Sequence, residues 1–235
     1  GTSWEDPMPL SDALSLIADG ITVYLGKGTY DVQAANGGNT YVPASLPADA
    51  KVSFIGQTGT VWTTGHEASN SRILLCENVQ LGNMTFNNIR FEKEGANTAG
   101  VLSFRKEISG NVLFQNCSFT VTSESNNPGA AVVINPSSAG LTVKFDQCTF
   151  SDCKSLSHRA GAVSIQGKNA VVDFSGCTFK GNTAKASGGA VSSYDGTVSF
   201  DQCHFESNVS NATGGAIYNN SCRLTITGTT FKSNT

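Results

Sequence analysis

A hexapeptide that keeps returning sets the tightest limit on what this chain can become. FQNCSF, FDQCTF, FSGCTF and FDQCHF begin at Phe114, Phe145, Phe174 and Phe200, and a decayed copy, ITGTTF, begins at Ile226. Successive starts lie 31, 29, 26 and 26 residues apart. A unit of that size buries too little apolar surface to stand alone, so the period implies one supersecondary element stacked on copies of itself. The chain reads as a solenoid.

A second motif travels in step with the first. It is Ala160-Gly161-Ala162-Val163, then Gly188-Gly189-Ala190-Val191, then Gly214-Gly215-Ala216-Ile217. Between the motifs lie short Gly, Ser and Asn stretches, so each repeat holds two or three brief strands and no helix-length apolar stripe. The expected fold is all-β: a single-stranded, right-handed parallel β-helix of about eight coils, forming one domain over residues 1–235. Residues 1–30 form the N-terminal cap and first coil, and 31–235 form coils of about 26–32 residues. Within the cap, Leu10, Ala13, Leu14, Ile17 and Ala18 recur at helical spacing after Pro9, with Ser11 or Asp12 near the N-terminus. A short helix there hides the apolar interior of the first coil from water, as solenoid ends require.

Strand parity orients the side chains. Val52, Met84, Val112, Val143, Val172 and Val198 each precede by two residues Phe54, Phe86, Phe114, Phe145, Phe174 and Phe200. Residues two apart share a face, so these columns point inward and the residues between them, mostly polar, point out. The strand after the glycine motif supplies another inward column, Leu102, Val132, Val163, Val191 and Ile217. Two residues on, a third drifts from apolar to polar: Phe104, Ile134, Ile165, Ser193 and Asn219. Gly188, Gly189, Gly214 and Gly215 fit a tight corner where positive φ or close coil-to-coil approach excludes a Cβ.

Two polar columns follow from the same alignment. Cys117, Cys148, Cys177 and Cys203 occupy one repeat position, at the roughly 4.8 Å spacing of neighbouring strands. Their parallel Cβ vectors suit a disulfide badly, so they are expected as buried free thiols that pack as small hydrophobes. Asn182, Asn208 and Asn234 follow the second phenylalanine of three repeats and are placed to form an amide ladder. Earlier repeats have Thr122 and Cys153 instead, so the ladder starts only in the last turns. Ser123 to Pro128 and Lys154 to Arg159 read as larger corner insertions.

With 14% charged residues and a net charge of −3, nothing points to an electrostatic grip on nucleic acid or on an anionic membrane. No apolar run approaches the roughly 20 residues that span a bilayer. The sequence stops partway through a repeat, so further chain of the same protein is expected after Thr235.

The pairing of GGAV or GGAI with FKGN, FESN and FKSN resembles the FxxN and GGA[ILV] repeats of chlamydial polymorphic outer membrane proteins and related bacterial surface proteins. The clean match runs from about Phe174 to Asn234, with looser copies back to about Phe86. The leading segment is similar to the N-terminal cap of pectate lyase-like right-handed β-helices. The first resemblance implies a secreted, cell-surface or outer-membrane bacterial module, often an adhesin, with a host or environmental glycan or a protein receptor as partner.

Chemistry is sparse. Asp146 and Asp201 share a repeat position two coils apart, with Ser175 between them, which makes a catalytic pair geometrically conceivable; Asp173 projects from a different point. His158 beside Arg159 lies in a loop, His204 falls where other repeats carry Ser or Thr, and His66 next to Glu67 has no ligand-spaced companion. Neither a metal nor another cofactor is called for by any motif. Tyr194 and Tyr218 follow the glycine strands and are placed to stack on a sugar or fill a partner's pocket, although their positions are offset from one another. Recognition is thus the expected role. The rival, a polysaccharide lyase or glycoside hydrolase, calls for three or more acids and a base converging on one face. A passive stalk calls for neither patch nor groove.

Overall fold

The computed structural model describes residues 10–31, 39–41, 45–63, 72–94, 100–122 and 128–235. It is a parallel β-helix whose strands form sheets of 13, eight and three strands. His66, Glu67 and residues 123–127 lie outside the described residues.

One coil shows the plan. After the corner at Gly188 and Gly189, strand Val191–Ser193 joins the large sheet, and past a bend strand Thr197–Asp201 joins the same sheet. Gln202 turns the chain into His204–Glu206 of the eight-stranded sheet, and Ser207 turns it into Val209–Ser210 of the three-stranded one. In earlier coils the two large-sheet strands fuse into Arg72–Asn87 and Leu102–Gln115. The register holds from coil to coil. Phe86, Phe114, Phe145, Phe174 and Phe200 align one above the other, as do Leu102, Val132, Val163, Val191 and Ile217.

Alignment turns the phenylalanines into two columns of parallel rings. From Phe54 to Phe200 successive centroids lie 4.8 to 5.1 Å apart with planes within 10°. From Phe91 to Phe231 they lie 4.5 to 5.1 Å apart. The columns meet edge to face, as Phe174 and Phe179 do at 5.4 Å and 69°, so the inner rings have both favoured aromatic geometries. In the third column the drift to polar residues ends in hydrogen bonds: Ser193 donates to Asn219 Oδ1 at 2.9 Å, and Asn219 Nδ2 donates to the Cys222 carbonyl at 3.1 Å.

Each phenylalanine column is followed by a corner of one construction. A residue with left-handed backbone, such as Gln147 (φ 51°) or Ser207 (φ 54°), reverses the chain, and the next side chain caps a phenylalanine carbonyl of the preceding coil. At the first corner the caps are thiols: Cys117, Cys148, Cys177 and Cys203 donate to the carbonyls of Phe86, Phe114, Phe145 and Phe174 at 3.3 to 3.5 Å. At the second they are amides: Asn182, Asn208 and Asn234 donate through Nδ2 to Phe150, Phe179 and Phe205 at 2.9 to 3.0 Å. All seven cysteines are buried and free.

The third corner gives the two glycines of the motif separate reasons. The first takes a left-handed backbone, +77° at Gly188 and +69° at Gly214, a conformation Ala160 also adopts in its coil. The second must lack a Cβ because the next coil touches it: a Cβ on Gly189 would sit 1.9 Å from the Gly215 carbonyl oxygen.

At the N-terminal end the helix is Leu10–Ser15, and Ala13 and Leu14 are buried. It is shorter than the apolar spacing predicts: Ile17 is half-buried and Ala18 exposed. The chain leaves the helix there to close a turn at Asp19 and Gly20, where Asp19 Oδ1 accepts the Lys51 N–H at 2.9 Å and Gly20 donates to the Lys51 carbonyl. Lys154 and Ser155, read as the start of a corner insertion, instead pair with Thr183 and Ala184 in the three-stranded sheet. At the C-terminal end, Ile217, Leu224, Ile226 and Phe231 line an apolar hollow of about 540 Å³.

Candidate recognition site

On the outward face of the glycine strands the side chains are Ser164, then Ser192, then Tyr218 in register, with Tyr194 two residues beyond Ser192 on the same face. The tyrosines are therefore diagonal neighbours, close enough for long side chains to meet. They do meet: their ring centroids are 5.6 Å apart at 47°. The offset read from sequence is real, but it does not separate them.

Arg159 completes the group. It comes from the segment leading into Ala160, and its guanidinium carbon lies 3.9 Å above the Tyr194 ring centroid. All three side chains are half-buried. A guanidinium over a phenol ring gains from the ring quadrupole, about 0.5–1 kcal/mol at a partly exposed site. Two residues before Tyr194, Ser192 is fully buried and its hydroxyl has no hydrogen-bond partner among the described residues. His158 is exposed beside Arg159, and its carbonyl accepts the Ala186 N–H.

Asp146, Ser175 and Asp201 lie in register, with the two acids two strands apart. Asp146 accepts from Gln115 Nε2 at 2.9 Å and Asp201 is exposed. Asp173 projects from the same sheet face as these two, displaced by two residues along its strand. It accepts from Ser199 Oγ at 2.6 Å and lies 3.8 Å from Lys144 Nζ. Among the described residues no three acidic, His or Cys side chains are grouped to hold a metal ion. His204 is half-buried, in line with Thr178 and Thr230.

Two features escape sequence reading. Arg159 and Tyr194 are 35 residues apart, in segments with no fixed register to each other. Lys93 is fully buried, and burial, reinforced by the charge of Arg72, holds its ammonium down to about 7. The signal for Lys93 was present, since it stands two residues after the inward-facing Phe91.

Comparison with models of known protein families, with curated proteins and with solved structures finds no match in any of the three.

Proposed function

We propose that this β-helix is a recognition module, adhesin-like, that holds a ligand on its outward face at the Arg159–Tyr194–Tyr218 ledge. The observation that carries the reading is the ledge itself: two tyrosine rings in contact, with a guanidinium over one of them. Paired tyrosines present a large, stiff, amphipathic area at low entropic cost, the composition of binding hot spots. The likeness of the glycine and FxxN repeats to chlamydial polymorphic outer membrane proteins agrees with a bacterial surface location, and rests on those motifs alone. A glycan array probed with the intact chain tests the proposal, with Tyr194→Ala and Tyr218→Ala as controls. Binding that drops about tenfold or more in either variant is the expected result; binding indifferent to both moves the site elsewhere.

A second reading, polysaccharide cleavage, has one observation in its favour: Asp146, Asp173, Asp201 and Lys144 share a sheet face. Release of reducing ends or unsaturated uronates, lost on Asp146→Asn or Asp201→Asn, is the result that would favour it over binding.

A further inference from the structure

Building on the recognition reading, we infer that the ligand is a sugar bearing a carboxylate, and that Arg159 is the residue that reads the acid. The first observation is what Arg159 lacks. Arg90 has Glu92, Arg105 and Lys106 share Glu77, Lys144 has Asp173, and Lys180 and Lys232 share Glu206, whereas Arg159, like Arg223 and Lys27, has no ion pair among the described residues. No acid lies within ion-pair distance of Arg159 among the described residues, although its guanidinium is the one braced against an aromatic ring. A guanidinium held over a ring by cation–π attraction spends none of its hydrogen-bonding capacity there. Its five N–H donors point outward in the guanidinium plane, in the fork that fits the two oxygens of a carboxylate. Tyr194 thereby fixes the orientation of the fork before a ligand arrives, which lowers the ordering cost of binding.

The second observation is the shape of the platform. Tyr218 meets the Tyr194 ring at 47° to make a two-ring ledge, which suits the C–H face of a pyranose better than a peptide side chain that needs a pocket. With the guanidinium covering one face of Tyr194, a sugar ring laid on the neighbouring Tyr218 would bring a ring carboxylate toward the guanidinium. The third observation is Ser192. A buried hydroxyl without a partner calls for an explanation, and this one sits in register with Tyr218 and on the same face as Tyr194.

Titration calorimetry on the intact chain tests the inference with four probe sets: sialyl-terminated oligosaccharides, glucuronate-terminated oligosaccharides, the carboxyl-reduced neutral counterparts of both, and sulfated neutral oligosaccharides. At least one acidic set binds, and carboxyl reduction weakens it by about tenfold or more. Arg159→Ala costs about ten- to a hundredfold, and Arg159→Lys, which keeps the charge but loses the planar fork, costs about tenfold. Circular dichroism and the urea midpoint establish that each variant is folded. Should Arg159→Ala fail that check, Arg159→Lys and the carboxyl-reduced probes decide alone. Neutral sugars bound as tightly as acidic ones and unaffected by Arg159 overturn the inference while leaving the recognition reading in place. Preference for sulfated probes overturns it in the same way, as does a protein receptor engaged with no sugar bound. Silence toward every sugar and every receptor removes both.

Discussion

At the corner after the first phenylalanine column the capping side chain is a thiol, from Cys117 to Cys203; after the second it is an amide, from Asn182 to Asn234. Both corners carry a left-handed residue and a buried phenylalanine carbonyl to be capped, yet the bonding differs. The Asn208 side chain donates to the Phe179 carbonyl at 2.9 Å and to Asn234 Oδ1 at 2.8 Å. Its Oδ1 accepts both the backbone N–H and the side-chain Nδ2 of Asn182, at 3.1 and 2.9 Å. One amide thus ties three coils together. A thiol is a weak donor, and its main contribution is to fill space. The amide corner is held by hydrogen bonds and the thiol corner by packing. Each also carries an exchange made by the sequence itself: Cys153 stands at the amide corner and donates to the Phe119 carbonyl, and Thr229 stands at the thiol corner and donates to that of Phe200.

If that contrast is right, substitutions should separate the corners. Asn208→Ala strands the Phe179 carbonyl and the amide of Asn182 in a buried site, and a loss of about 3 kcal/mol is expected in urea unfolding. A loss below about 1 kcal/mol would show the amide ladder to be ornamental. Cys177→Ala removes one weak bond and a small volume, and should cost about 1–2 kcal/mol. Cys177→Ser should recover part of that, since Thr229 shows a hydroxyl making the same bond. Ser207, exposed at φ 54°, bears the steric cost of a left-handed backbone without a glycine. Ser207→Gly should raise stability by about 1 kcal/mol, and a fall would mean the hydroxyl has a role of its own.

Alkaline pH gives the finest separation, because a thiol cap at either corner titrates there and an amide cap does not. Burial pushes the Cys153 thiol from its ordinary 9.0 up to about 12, and burial likewise raises Cys76 and Cys148. Along the thiol column the shifts alternate: the neighbouring Cys177 sulfur and then burial raise Cys203, while hydrogen bonds from Cys148 and then Cys203 lower Cys177. A thiol raised in the folded state keeps its full stabilisation below the unfolded value and loses it as pH climbs from 9.0 toward about 12, because the unfolded chain ionises first. For Cys153 the loss is roughly 0.4 kcal/mol at pH 9 and grows above it. Cys153→Asn should flatten that slope and lengthen the amide ladder by one coil. An unchanged slope would assign the alkaline loss to other groups.

How much of this was legible depended on whether a residue belonged to a column. Phe174, Val172, Cys177 and Asn182 each recur at a fixed place, and strand parity or stacking then fixes which way they face. The glycine motif was half legible. Its two constraints were foreseen, but their division between Gly188, for backbone angle, and Gly189, for contact with Gly215, needed coordinates. The fused strands Arg72–Asn87 and Leu102–Gln115 were not foreseen, because pairing resumes, with a shift of register, across bends at positive-φ residues such as Gly82 and Gly110. The ledge was partly foreseen: both tyrosines and Arg159 stood out individually. Their meeting depends on a diagonal offset and on a non-repeating segment, neither of which periodicity encodes.

The parallel register also has a mechanical side. Because every coil is bonded to the next along the long axis, a pull applied to the two ends loads those bonds in an opening mode, one row at a time. Each coil that yields in the later part of the molecule frees about 26 residues, roughly 90 Å of extended backbone. Under flow or tugging, such a body lengthens in regular steps and dissipates work at each one, much as a rope pays out from a coil.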